Sequence, residues 1–340
     1  MTNRQLATQA TLALLGLAAA YLTWQRGSAL EPGEVLVVDI GRGELARVRF
    51  DDQEKPTWVE LSMANESGAF VSVELAPQDK AGGLPGKDQA MTRSPQRLVR
   101  GSEAATTLFR SFTPLRASRA LGVLDARKLA DLGLDAAKKK RITLTLQGGV
   151  RSFAIAPAPP GGSEPYLRDE SNGQVYLVAR SLLSDFQAAA SLLVERRLHA
   201  FKMEESDHIL VDHGPKRKDF VVTRAEGGIR IAAAASPDQP DATAKTWHDR
   251  VFSLWPLEVL GKDEVPAEGA PQIDVRVEYR THGRSLGFVE IARPAALASS
   301  KERPKDGKDT LFARSEQTLG WFKLSMDAQT LAGDLDRLLR

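Results

Sequence analysis

The sequence predicts an α+β fold in which an N-terminal transmembrane helix precedes two similar lobes of antiparallel sheet with helices packed on one face. Three observations predict it: one uncharged apolar run near the start, many short segments that alternate apolar and polar residues between glycine turns, and an order of elements that recurs. Of the 340 residues, 42% are hydrophobic and 26% are charged, which suffices for packed cores beneath a polar surface.

The apolar run lies between Arg4 and Arg26, where 21 consecutive residues carry no charge. As a helix rising about 1.5 Å per residue, this run would reach roughly 30 Å, the thickness of a bilayer's hydrocarbon core. Tyrosine and tryptophan near its end favour the headgroup level. We therefore predict a single-pass anchor whose contacts with the lipid bilayer come from Leu12, Leu14, Leu15, Leu17, Tyr21, Leu22 and Trp24.

A cleaved signal peptide is the alternative, since Ala18-Ala19-Ala20 would supply a small-residue cleavage site. Cleavage there would leave a short apolar region, so the length of the run favours the anchor. The absence of cysteine excludes a lipid-modified cysteine, disulfides, thiol catalysis and cysteine-ligated zinc. Lysine and arginine total 46 against 44 acidic residues, a balance that does not indicate binding to a polyanion.

The chain divides into four predicted segments: 1–26 as cytoplasmic tip and transmembrane anchor, 27–33 as a stalk, 34–203 as the first lobe and 204–340 as the second. In the first lobe, period-2 alternation predicts strands over 34–40, 45–50, 58–61 and 69–75, a loop over 77–101, and hairpins over 141–156 and 166–178. Helices are predicted from the cap Ser102 to Pro114, over 125–132, and from the cap Ser181 through Leu198.

In the second lobe the same order of elements recurs. Strands are predicted over 209–212, 220–223 and 229–232, a helix over 247–260, hairpins over 273–291 and 311–324, and a closing helix over 326–339. Leu121-Gly122 of the first lobe and Leu260-Gly261 of the second each precede two hairpins and a helix. The recurrence predicts an internal duplication, with Gly149 and Gly283 at equivalent hairpins.

The motifs that could carry chemistry have structural interpretations that fit better. Gly41-x-Gly43-x-x-Ala46 lacks the helix that must follow in a dinucleotide site, because the next residues alternate like a strand. No serine lies in a nucleophile elbow or a Ser-x-x-Lys motif. A catalytic triad assembled from distant residues stays open.

Metal and nucleic-acid sites are not indicated either. The five histidines are His199, His208, His213, His248 and His282, and none forms the i, i+4 pair of a zinc protease. Strand alternation would divide the densest group, Asp207-His208 and Asp212-His213, between two faces. The basic runs 138–141 and 216–218 lack interleaved aromatic residues, so we predict no nucleic-acid partner. We also predict no metal and no cofactor, since no motif of the sequence matches a site for either.

One predicted helix concentrates large apolar side chains. Packing into the core is the main interpretation of these residues, and an exposed partner-binding face is the alternative. The residues of this possible partner surface are Trp247, Phe252, Trp255 and Leu257.

Several short segments between residues 100 and 210 resemble a known family. They are Leu121-Gly122, 132–135, 142–146, 166–168, 175–178, Leu182-Leu183 and a predicted helix end at 195–198. Together they resemble the bacterial domain-of-unknown-function family 4340, although Ala136-Ala137 stands where that family commonly has a proline. The resemblance implies a single-anchor extracytoplasmic protein, often associated with ABC transporters of the gliding-motility type. It transfers no catalytic residue.

The sequence therefore predicts a non-enzymatic accessory or scaffold protein, anchored in the inner (cytoplasmic) membrane with its lobes on the periplasmic side. Its expected partners are integral-membrane subunits of a transporter or envelope complex. Two alternatives remain: a module that binds envelope polysaccharide or lipid, and a hydrolase of envelope polymers.

Overall fold

The computed structural model describes residues 12–17, 33–41, 43–54, 57–64, 70–76, 96–135, 140–226, 228–295, 310–324, 331, 334–335 and 337–339. Within them the fold is mixed: two large, mostly antiparallel sheets and a few short helices. The strands are β1 Val35–Val38, β2 Leu45–Asp52, β3 Thr57–Ala64, β4 Phe70–Leu75, β5 Arg97–Arg100, β6 Leu115–Ala117, β7 Arg119–Val123, β8 Lys140–Leu146, β9 Gly149–Ala156, β10 Tyr166–Asp169, β11 Gln174–Leu177, β12 His208–His213, β13 Lys216–Ala225, β14 Gly228–Ala233, β15 Pro256–Val259, β16 Pro271–Thr281, β17 Arg284–Pro294, β18 Phe312–Ser315 and β19 Phe322–Leu324. The helices are α1 Glu103–Arg110, α2 Ala126–Asp131, α3 Ser181–Gln187, α4 Ala189–Leu192 and α5 Ala242–Phe252.

The two large sheets have matching strand orders. The first runs β5-β4-β3-β2-β8-β9-β10-β11-β7 and the second runs β14-β13-β12-β16-β17-β18-β19-β15. Apart from β5, each strand of the first sheet has a counterpart at the same place in the second and in the same chain order. Helix α1 packs against β3 and β4, and α5 packs against β14, the counterpart of β4. A small separate sheet pairs β1 with β6.

Each sheet covers its own hydrophobic core. The first core contains buried residues from Ile40 to Val194, and the second contains buried residues from Leu198 to Leu338. Val259 on β15 packs against both cores. The end of the second sheet therefore lies where the two cores approach each other.

Several predicted elements are confirmed. Ser102 caps α1 by accepting the Ala105 N–H at 3.3 Å, and Asp125 caps α2 by accepting the Lys128 N–H at 2.8 Å. Gly149 and Gly283 lie at the β8–β9 and β16–β17 hairpins, which occupy equivalent places in the two sheets. Gly283 has a φ of 75°, a left-handed conformation that glycine adopts without strain.

The predicted helix over 247–260 is wrong. Helix α5 begins earlier, at Ala242 after the capping carboxylate of Asp241, and ends at Phe252. The chain then forms strand β15 from Pro256, because proline has no N–H for a helical hydrogen bond and its ring clashes with the preceding turn. The large apolar residues between Trp247 and Leu257 are thus divided between a helix and a strand.

Three smaller corrections concern the first lobe. Residues 97–100, expected in a loop, form β5, and strands β6 and β7 were not predicted. Ser181 is the first residue of α3 and not its cap, and the helical region ends at Leu192. Leu198 therefore lies outside any helix, and it packs in the second core.

The predicted anchor lies mostly outside the described residues. Residues 12–17 are helical, and Leu12, Leu14, Leu15 and Leu17 expose 62–69% of their surface. Tyr21, Leu22 and Trp24 fall outside the described part of the chain. Among the described residues, no helix has both the length and the apolar character needed to cross a bilayer.

Candidate partner-binding cleft between the lobes

The lobes meet where the last strands of the two sheets face each other, β5 on the first and β15 on the second. The Lys262 N–H donates to the Leu98 carbonyl at 2.9 Å, so the segment after β15 continues the hydrogen bonding of β5. The Arg97 guanidinium donates to Glu258 at 2.7 Å and to Glu264 at 2.9 Å. One side chain of the first lobe thus pairs with two carboxylates of the second.

Two glycines allow this close approach. A Cβ on Gly261 would lie 3.1 Å from the Arg97 Cα, and a Cβ on Gly320 would lie 2.3 Å from the Gly261 carbonyl oxygen. Contacts under 3 Å with backbone atoms cannot be relieved by turning a side chain. Gly320 therefore requires a residue without a side chain, and Gly261 leaves room for a Cβ only if the neighbouring backbone shifts by a few tenths of an ångström.

Beside this junction the two sheet edges diverge and leave a cleft of about 230 Å³. Both lobes contribute to its walls, and the segment that follows α4 closes one side. Its lining residues are Leu75, Ala76, Arg97, Val99, Ala190, Val194, Arg196, Leu257, Glu258 and Val259.

One large exposed apolar side chain lines this cleft, and a second lies two residues before it in the chain. Leu257 lines it, and both Leu257 and Trp255 expose 62% of their surface, whereas the alternating residues Leu254 and Pro256 are buried. Trp255 comes just before β15, and Leu257 lies at an irregularity of that strand, where Pro256 and Glu258 pair with the consecutive residues Leu324 and Lys323. We call these two residues the apolar edge.

The possible partner surface predicted from the sequence is therefore divided by the structure. Trp247 is 1% exposed, and its indole N–H donates to the Leu331 carbonyl at 3.4 Å. Phe252 is half-buried, with its ring 4.5 Å from the His199 ring. These two residues pack in the core, as the main interpretation predicted, but Trp255 and Leu257 lie beyond the end of the helix and are exposed.

A second polar contact lies at the same junction. His199 Nδ1 lies 3.3 Å from Glu316 Oε1, and the other carboxylate oxygen accepts the Phe288 N–H at 2.9 Å. The Glu316 side chain occupies the space that a Cβ on Gly287 would take, 2.4 Å from the carboxylate carbon. Arg100 of β5 donates to the Glu316 carbonyl at 3.5 Å. The sequence held no signal for this group because 117 residues separate the histidine from the glutamate.

Two further buried polar side chains lie in the second core. His248 is fully buried, both of its ring nitrogens lack a hydrogen-bond partner among the described residues, and burial lowers its pKa to about 3. Burial also raises the pKa of Tyr279, whose hydroxyl has no partner in the same part of the chain. Both side chains are enclosed by the core and do not line the cleft.

The remaining candidate residues have structural contacts. His208 pairs with the Asp207 carboxylate at 3.1 Å, which also accepts the His282 N–H at 2.7 Å. Across the described ranges no group of three or more metal-ligating side chains comes together. Lys140 pairs with Glu54 at 2.9 Å, and residues 216–218 begin β13 at a hairpin. Strand β2 follows Gly43, whereas a dinucleotide site needs a helix at that place. The structure therefore also argues against a dinucleotide site at Gly41-x-Gly43.

Comparison with known proteins found no match: no family model, no curated protein and no solved structure is similar to this chain. The resemblance to family 4340 stays a prediction that depends on the short segments quoted above.

Proposed function

We propose that this protein is a non-enzymatic accessory or scaffold protein, tethered to the membrane by its N-terminal segment, that binds a partner through the cleft between its lobes. The observation that carries the proposal is the apolar edge, where Trp255 and Leu257 expose 62% of their surface at the end of a sheet. Its expected partner is an integral-membrane subunit of an ABC-transporter or motility-type envelope complex.

The apolar edge combines two properties of binding sites. Tryptophan is enriched among the residues that dominate binding energy, and burying a leucine side chain is worth about 1.5–3 kcal/mol. Strand β15 is the terminal strand of its sheet, and an extended segment can bind a terminal strand by adding to the sheet. Pro256 offers no N–H, so such pairing would use the backbone from Leu257 onward.

The tether supports the proposal in a second way. Four leucines of the helical residues 12–17 are exposed, which is unfavourable in water and favourable in a lipid environment. Confinement to a membrane raises the effective concentration of the cleft near other membrane proteins. A partner contact of modest area would then suffice for stable association.

We also infer that the two lobes arose by duplication. Eight strands match one to one in chain order and in position within the sheets. The helix caps match as well, since Ser102 begins α1 after β5 and Asp241 begins α5 after an isolated bridge between Ala232 and Pro240. The second lobe thus retains a single bridge where the first has a full strand.

Copurification from membranes in mild detergent tests the function. We expect Trp255→Glu and Leu257→Lys to release the protein from its membrane complex without unfolding it, because both side chains are exposed. Val150→Lys is the matched control, since Val150 is also 62% exposed but lies at the β8–β9 hairpin. Normal copurification of both cleft variants would contradict the proposal. A hydrolytic activity of the pure protein that one polar substitution abolishes would contradict its non-enzymatic part.

A further inference from the structure

The structure defines the face of the first lobe from which the N-terminal segment leaves. Strand β1 pairs with β6, with Val35 opposite Ala117, and Glu34 accepts a hydrogen bond from Arg116 at 3.1 Å. Seven residues separate Arg26 from Glu34, and they span at most about 25 Å when fully extended. If residues 5–25 cross the bilayer, this face lies within that distance of the lipid headgroups.

A cleft of about 550 Å³ opens on this face beside Gly33 and Glu34. Arg110 and Arg116 line it, Arg180 lies between its lining residues Ala179 and Ser181, and Arg119 follows its lining residue Ser118. We call these four arginines the basic rim.

The charges of the basic rim are mostly unneutralised. Arg116 pairs with Glu34, but Arg110, Arg119 and Arg180 are exposed and make no hydrogen bond or ion pair from their guanidinium groups within the described part of the chain. Glu164 is the other carboxylate in the lining. Three of the four arginines in and beside the cleft therefore have no counter-ion within the described residues.

Three of the four hydroxyl groups that line the cleft do not supply donors for an anion. Ser111, Thr113 and Ser118 already donate to the carbonyls of Leu108, Arg110 and Leu177, at 2.6, 3.0 and 3.1 Å. The arginines and Ser181 are thus the side-chain donors available there, and the planar guanidinium is the side chain that best matches the oxygens of a phosphate group.

We propose that the basic rim binds the phosphate groups of anionic phospholipids in the membrane that holds the tether. The inference rests on the proposed tether and is independent of the apolar edge. Arginines near an anionic leaflet are attracted by its surface potential, and the attraction falls off within a Debye length. Binding would hold the first lobe against the bilayer and fix the direction in which the cleft between the lobes faces.

The test uses the full chain in lipid nanodiscs. Because the sequence contains no cysteine, Ser118→Cys provides a single labelling site for a fluorophore at the rim. Lipids that carry a quencher on the headgroup then report how close the rim lies to the bilayer. We expect quenching at least twice as strong in discs with about one third phosphatidylglycerol as in pure phosphatidylcholine, and weaker quenching in 0.5 M salt, because salt screens exposed charges.

The double variant Arg110→Glu/Arg180→Glu should reduce quenching to its value in phosphatidylcholine. Arg230→Glu/Arg284→Glu is the matched control, since both arginines are exposed on the second lobe and their guanidinium groups make no hydrogen bond or ion pair within the described residues, and it should quench like the unmodified chain. Equal quenching in both lipids, or no effect of the rim variant, would overturn the inference and leave the tether intact. Failure of the chain to enter nanodiscs would overturn the tether and the inference together. Normal quenching by a chain that fails to copurify with any membrane complex would support the inference and contradict the proposed partner binding.

Discussion

At the scale of single residues, the approach of the two lobes depends on positions that hold no side chain. Gly320 faces the Gly261 and Leu260 carbonyl oxygens, 2.3 and 2.5 Å from where its Cβ would be. Gly261 in turn faces the backbone of Arg97. A stack of two glycines therefore brings three backbone segments together, and the ion pairs of Arg97 form beside it.

Gly320→Ala should destabilise the protein. The added methyl group would overlap two carbonyl oxygens, which only a shift of the backbone relieves, and overpacking of this kind costs about 1–3 kcal/mol. The free energy of unfolding by urea measures the effect. Gly148→Ala is the control, since open space surrounds that position and its φ is not in the left-handed region. Equal stability of the two variants would contradict the packing described here.

His248 should make stability depend on pH. Its pKa is lowered to about 3 in the folded protein, so the unfolded chain takes up a proton near pH 6.5 while the folded protein does not. This contribution to stability is complete above pH 6.5 and is lost as the pH falls from there towards 3, by about 1.4 kcal/mol per unit. His248→Leu should remove that slope, measured as the difference from the unmodified chain between pH 6.5 and 4.5. Parallel pH curves for the two proteins would show that the ring is not buried in its neutral form.

At the scale of elements, β5 makes the two lobes unequal. The first lobe continues its sheet past β4 with the full strand Arg97–Arg100, whereas the second has the single bridge Ala232–Pro240 past β14. Pro237 and Pro240 lack the N–H that a strand ladder needs. The extra strand then provides Leu98 and Arg97 for the junction with the second lobe, so the asymmetry of the lobes creates their interface.

Arg97→Gln should weaken this junction. Glu264 has an 8% exposed side chain, and losing the guanidinium would leave its carboxylate partly buried and unpaired, at a cost of about 2 kcal/mol. Unfolding in urea measures the loss, and adding Glu264→Gln should recover part of it. Arg47→Gln, which breaks an exposed pair with Glu60, should cost under about 1 kcal/mol. A loss no larger than that of Arg47→Gln would show that the two carboxylates do not depend on Arg97.

At the scale of the whole molecule, the proposed function links the proposed tether to the cleft between the lobes. The chain enters the first lobe at the β1–β6 sheet, and the apolar edge belongs to the second lobe. The proposed function needs both lobes on the same side of the membrane as the partner's exposed domain.

Labelling of a single introduced cysteine tests the topology. Ser236→Cys lies on an exposed loop of the second lobe, and we expect it to react with a membrane-impermeant thiol reagent in intact spheroplasts, because that lobe is predicted to lie outside the cytoplasm. The unmodified chain has no thiol and therefore serves as the negative control for labelling. Labelling after lysis alone would place the lobes in the cytoplasm, and a mature N-terminus at Tyr21 would replace the anchor by a signal peptide.

The sequence by itself determined the elements whose signals are local. The hairpins over 141–156, 166–178 and 273–291 follow from alternation beside turn glycines, and the cap Ser102 follows from its hydrogen bond to the residue three positions on. The recurrence of the element order also predicted the matching order of strands, because each hairpin places its two strands side by side.

Tertiary structure decided what depends on distant parts of the chain. Residues 97–100 are too few to predict as a strand, and they become β5 because β4 provides a ladder. In the stretch from Trp247 to Leu257, local pattern could not separate core from surface: Trp247 is buried by α5 packing on the second sheet, while Trp255 and Leu257 are exposed because β15 ends that sheet. Burial is a property of the neighbours that folding brings to a side chain, so the cleft became visible only in three dimensions.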